Sequence, residues 1–139
     1  MPAREPFVHR VARPVTGYQL AHAHAALEEV ERSLGDPGLT PATVAARVGI
    51  STRYLHQLFS ARGQSFGRRL ARRRLERCRA DLADPVYAEW TIAEIGWRNG
   101  FADPSYLARA FRRAYGVSPG EHRRAAAGAL ADAVVPMTS

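Results

Sequence analysis

The sequence predicts an all-α fold, with two helix-turn-helix subdomains joined by a central helix and about seven helices in all. Three observations carry this. No run of β-branched residues alternates with period 2, so strands have no support. Apolar residues recur at three- and four-residue spacing between marked caps and glycine or proline stops. One stretch of chain also recurs about 50 residues later with the same apolar and glycine positions.

The elements follow in order. Residues 17–34 read as a helix with Leu20, Leu27, Val30 and Leu34 on one side, stopped by Gly35-Asp36-Pro37-Gly38. Thr40-Pro41 reads as an N-cap with proline at the first helical position. That short helix carries Val44, Ala45 and Val48 inward and ends at Gly49. Ser51 caps the next helix, with Leu55, Leu58 and Phe59 inward and an end at Gly63. A longer helix from Ser65 to Ala83 has Phe66, Leu70, Ala71, Leu75, Cys78 and Leu82 as its apolar positions, and Asp84-Pro85 ends it. Thr91 with Glu94 is a capping box, in which side chain and backbone cap each other. The helix it opens ends near Gly100. Asp103-Pro104 starts another, with Leu107, Phe111 and Tyr115 inward and a stop at Gly116. Ser118-Pro119 with Glu121 opens a last short helix. The layout expected is a linker or disordered arm over 1–16, a first subdomain over 17–64, a connecting helix over 65–83, a second subdomain over 84–126 and a flexible tail over 127–139.

The repeat defines the subdomains. Gly49 and Gly100 are 51 residues apart, whereas Leu55 and Leu107, like Phe59 and Phe111, are 52 apart, so the second turn holds one extra residue. Each copy reads as a short helix, a turn with glycine and a second helix. The turn needs a residue tolerant of positive φ. Ala45 and Gly96 are small enough to let the second helix cross closely, and the Leu and Phe four residues apart pin it to the core.

Composition narrows the function. At 139 residues and 46% hydrophobic content the chain suits one compact domain or two very small ones. Its net charge is +7, and all 20 basic residues are arginine. Residues 41–80 hold ten of them against the single acid Glu76, a local charge of +9 that favours an anionic partner. Cys78 stands alone, so there is no intramolecular disulfide. No run of 18 apolar residues exists to span a membrane, and residues 1–13 lack the apolar core of a signal peptide. No paired carboxylates, nucleophile triad or glycine-rich phosphate loop supports an enzyme, and no cofactor or metal is expected. His22 and His24 are two apart, so on a helix they point to different sides with no third ligand evident.

The second copy runs Ile92-Ala-Glu-Ile95 to Gly100-Phe101, then Tyr106-Leu107-Ala-Arg109-Ala-Phe111, then Gly116-Val-Ser118-Pro119 and Arg123. With the Gly49-Ile-Ser-Thr-Arg-Tyr-Leu-His-Gln-Leu-Phe59 run and Arg74-Leu75, Cys78 and Leu82 of the central helix, it resembles the DNA-binding domain of the AraC/XylS family of bacterial transcription regulators. The resemblance covers about Leu39 to Arg124. One departure is that Phe59 to Gly63 spans four residues where Phe111 to Gly116 spans five. The resemblance implies a cytoplasmic transcription regulator, with two recognition helices entering successive major-groove segments on one face of double-stranded DNA. It further implies RNA polymerase as a partner, with activator or repressor action left open, no membrane, and an effector or dimerisation domain outside this chain; the chain is then either a fragment of a longer regulator, the favoured reading, or a stand-alone monomeric member.

Contacting positions in the family fall on Arg53, His56 and Gln57, and on Ser105, Tyr106, Ala108 and Arg109. Tyr106 could equally pack beside the core. The residue types suit base edges, since Arg bonds guanine twice, Gln pairs with adenine and Ala meets a thymine methyl. Arg62, Arg68, Arg72, Arg112 and Arg113 are candidates for phosphate contact, as are the helix N-termini at Thr40 and Thr91. Two other readings compete: a basic protein binding nucleic acid by charge alone, and a protein-interaction module that has kept the fold. The uncharged Thr52, His56, Gln57 and Ser105 on the recognition faces argue against the first, and the retained Arg53 and Arg109 against the second.

Overall fold

The computed structural model describes residues 16–134. Among them are seven α-helices: α1 (Gly17–Arg32), α2 (Pro41–Val48), α3 (Thr52–Ala61), α4 (Phe66–Ala83), α5 (Ile92–Arg98), α6 (Pro104–Tyr115) and α7 (Pro119–Val134). A single 3-10 turn, Pro85–Tyr87, lies between α4 and α5, and no strand occurs among the described residues. The caps read from sequence form as hydrogen bonds. Thr40, Ser51 and Thr91 side chains accept the amides of Thr43, Tyr54 and Glu94, and Asp103 accepts that of Ser105. Thr16 and Gln19 add a further capping box at α1.

The described chain divides into two compact units, one of residues 16–33 and 38–70, the other of residues 34–37 and 71–134. In the first, Ala23, Ala26 and Val30 of α1 are buried, as are Val44 and Ala45 of α2 and Leu55, Leu58 and Phe59 of α3, with Phe66 and Leu70 from the start of α4. In the second, Leu75, Cys78 and Leu82 pack with Ile95, Phe101, Leu107 and Phe111. Each fully buried Leu or Phe stabilises its unit by about 1.5–3 kcal/mol.

Five expectations are corrected. Leu20 is 57% exposed and Leu27 only half-buried. The buried stripe of α1 is Ala23, Ala26 and Val30, and the two leucines lie roughly 90° and 70° round the helix from it. Val48 is also only half-buried. Ala71 is exposed, because the apolar spacing of α4 breaks by five residues between Leu70 and Leu75, where the helix passes from one unit to the other. The last helix is long, since residues 127–134, grouped by sequence with the tail, continue α7. Residues 1–15 of the expected arm and 135–139 of the expected tail lie outside the described residues.

Candidate nucleic-acid interface

The two second helices of the repeat are α3 and α6, and each is amphipathic for a plain reason of spacing. On α3, Leu55, Leu58 and Phe59 face inward while Thr52, Arg53, His56, Gln57 and Ser60 are exposed. On α6, Leu107 and Phe111 face inward while Ser105, Ala108, Arg109, Arg112 and Arg113 are exposed. Within each unit, therefore, the residues singled out for base contact share one solvent face. Tyr106 is 52% exposed, with its ring 6.2 Å from that of Phe101, so it sits at the margin of that face.

The scaffold beneath each helix is specific. In the first unit, His22 Nδ1 lies 3.0 Å from the Tyr54 hydroxyl, tying α1 to α3. Glu29 is nearly buried and accepts hydrogen bonds from Arg32 (2.8 Å), Ser33 (2.8 Å) and Arg47 (3.0 Å), joining α1 to α2. These bonds, Arg32's foremost, hold its carboxyl down to about 2. In the second unit Gly96 gives α6 room, since a Cβ there would lie 2.6 Å from Leu107 Cδ2. Asn99 is fully buried and donates to Asp81 (2.9 Å) and to the Ile95 carbonyl (2.9 Å), with Arg98 also on Asp81 (3.2 Å). Cys78 is buried, and desolvation pushes its thiol up to about 12, which makes it an inert core side chain.

The arginines divide by partner. Arg47 is spent on Glu29, and Arg73 on Glu76 at 2.6 Å. Arg79 lies over the Tyr115 ring at 4.7 Å. Arg74 is a strut, donating from Nε to the Leu34 carbonyl (2.9 Å) and from Nη2 to that of Asp36 (2.5 Å). Sequence reading placed Arg74 in the family pattern of the central helix but gave it no role of its own; its partners in space supply one. Of the phosphate candidates, Arg62, Arg68 and Arg113 are exposed and make no ion pair among the described residues. Arg72 reaches Glu76 at 4.0 Å, and Arg112 shares Glu121 at 3.3 Å. Arg53 and Arg109 also make no ion pair among the described residues. Thr40 and Thr91 are exposed, but at Thr91 the Glu94 carboxylate already takes the backbone amide at 2.7 Å. That negative charge makes α5 the poorer phosphate site.

Among the described residues no three His, Cys, Asp or Glu side chains are grouped to hold a metal, and no helix is long and apolar enough to cross a membrane.

Comparison with known proteins agrees with this architecture. A family model described as a helix-turn-helix domain matches residues 44–125. The transcriptional activator NphR of a Rhodococcus species is 35% identical over 95 residues, which is 68% of this chain and 28% of NphR. The chain thus spans less than a third of that relative's length. A Chromobacterium violaceum transcriptional regulator structure, described by its AraC-type DNA-binding domain, superposes with a TM-score of 0.69 at 25% identity, covering 81% of this chain and 97% of the other. The DNA-binding domain of AdpA, a global transcriptional factor solved in complex with a target DNA, superposes with a TM-score of 0.62 at 27% identity, covering 75% and 90%. With more than half its length matched by the family model and two helix-turn-helix units in its structure, the chain belongs to the AraC-type helix-turn-helix family.

Proposed function

We propose that this chain is the DNA-binding part of an AraC-type transcription regulator and reads double-stranded DNA with α3 and α6. The observation that carries this reading is the pair of capped helices, each with an apolar inner face and a polar outer face bearing an arginine free of intramolecular ion pairs among the described residues. Such an arginine is available for bidentate bonding to guanine. The AdpA domain, with a similar fold, is seen on its target DNA. Base contacts are assigned to Arg53, His56 and Gln57 on α3 and to Ser105, Ala108 and Arg109 on α6, with Tyr106 at the margin. Arg62, Arg68, Arg72, Arg112 and Arg113 are assigned to phosphates, which position the protein without reading sequence. Thr40, at the start of α2, supplements them. NphR is an activator, which supports RNA polymerase as the partner of the whole regulator and the bacterial cytoplasm as its place of action.

The test is selection of bound sites from random duplexes with the wild-type chain and with Arg53→Ala and Arg109→Ala. Each variant should lose preference at its own base position, at a cost of about 1–3 kcal/mol there, and the two positions should differ. Sequence preferences identical to wild type in both variants would defeat the two-helix readout. Binding of every duplex alike by the wild type would favour charge-only binding.

A further inference from the structure

One surface of the second unit is neither basic nor part of the polar recognition face. Trp90, Trp97, Phe101 and Pro104 line an open groove of about 590 Å³, with Glu89 and Glu94 also along it. Trp97 is 68% exposed and Trp90 is 40% exposed. Two large aromatics left in water on one small unit mark an interaction site more often than an accident of composition.

The groove is built rather than incidental. Trp90 lies edge-on to Tyr87, with ring centroids 5.2 Å apart. The backbone that carries both is latched from α7: Arg123 Nη2 donates to the carbonyls of Tyr87 (2.6 Å), Ala88 (3.3 Å) and Trp90 (2.6 Å). A surface held this way loses little conformational freedom on binding.

Its charge names the partner. The chain carries +7, yet the charged groups lining this groove are acids. Among the described residues Glu89 makes no ion pair, and the Glu94 carboxyl accepts only the Thr91 backbone amide. Arg98 does not neutralise them, because its guanidinium bonds Asp81 and lies 4.8 Å from the centre of the Tyr87 ring. Phosphates are repelled by such a site, and cationic side chains are drawn to it. The volume suits one or two side chains, not a domain.

We propose that this groove docks a cationic linear segment of another protein, one large apolar residue seated against Trp90 and Trp97 and flanking Lys or Arg set against Glu89 and Glu94. It is a second binding surface, separate from DNA readout in its chemistry.

The chain has two tryptophans, and both are here, so their fluorescence reports on the groove alone. The probes are three tryptophan-free nonapeptides: a central Phe between arginines, the same with Phe replaced by Ala, and the same with the arginines replaced by Glu. The first should bind saturably, shift the emission to the blue and protect it from acrylamide, and the other two should bind at least about tenfold more weakly. By calorimetry, Glu89→Arg and Trp97→Ala should each weaken the first peptide by at least about tenfold, with Trp97→Phe restoring most of it. Both positions are exposed, so thermal melting should be unchanged. Equal binding of the three peptides, or none, overturns the proposal. So does the same emission shift on adding duplex alone, on raising protein concentration, or in the free chain on deleting residues 1–15, since these assign the groove to DNA, to a second copy or to this chain's own N-terminal segment.

Discussion

Glu29 is the residue whose environment departs furthest from what its neighbours in sequence announce. It follows another glutamate in a run of acids, the usual pattern of a solvated helix face, yet it is nearly buried and holds Arg32, Ser33 and Arg47. Only Arg32 and Ser33 are near in sequence; Arg47 comes from the next helix and could not be foreseen from spacing. The carboxyl is held from its ordinary 4.5 down to about 2, so below pH 4.5 the unfolded chain takes up a proton that the folded chain refuses. Stability supplied by Glu29 is therefore complete above pH 4.5 and lost as the pH falls towards 2. Glu29→Gln should cost about 1–3 kcal/mol near neutrality, towards the lower end because both arginines are partly exposed. Urea melts of both proteins should show the gap narrowing between pH 6 and pH 3. A gap of constant size would mean that the carboxylate does not carry this network.

The helices themselves were readable, because caps and stops are local: Thr40-Pro41, Ser51, the Thr91–Glu94 pair and Asp103-Pro104 each act within one turn of chain. The end of α7 was not, since its alanine-rich course past Arg124 has helix propensity but no apolar period. The two turn glycines show the same limit. Gly49 and Gly100 occupy equivalent places in the repeat and both have positive φ, at 79° and 91°. Their surroundings differ. A Cβ on Gly49 meets nothing within 4 Å, whereas one on Gly100 would meet the Leu34 carbonyl oxygen and, at 2.5 Å, Arg74 Nε. Gly49→Ala should accordingly cost about 1–2 kcal/mol, the left-handed backbone strain alone. Gly100→Ala should exceed it by about 1–3 kcal/mol, because the second turn is filled as well as bent. Paired thermal melts decide the matter, and equal losses would show that the Arg74 strut yields freely.

At the scale of the molecule, charge was plain in the sequence and its allocation was not. The +9 of residues 41–80 is partly consumed by Glu29, Glu76, the Tyr115 ring and the Leu34 and Asp36 carbonyls, none of which a linear count can assign. The recognition faces were readable because heptad-scale spacing fixes which side of α3 and α6 is apolar. DNA affinity should fall with a log–log salt slope of roughly −0.9 per phosphate contact. Arg68→Ala and Arg72→Ala should each lessen that slope by about 1 and weaken all duplexes alike. Arg74→Ala should leave the slope as it is and lower the melting temperature. Anisotropy titrations over a range of salt would show it, and a lessened slope for Arg74→Ala would return that arginine to the DNA. The division of the chain has one more consequence, for anyone wishing to cut it in two. Residues 34–37 belong with the second unit although they lie between two helices of the first, and α4 is shared, with residues through 70 in one unit and from 71 in the other. A break after residue 70 strands Leu34, and with it the carbonyl that Arg74 holds. A break before residue 34 separates α1 from α2 and α3. No single scission yields two intact halves, so the duplicated motif, modular as text, is indivisible as an object.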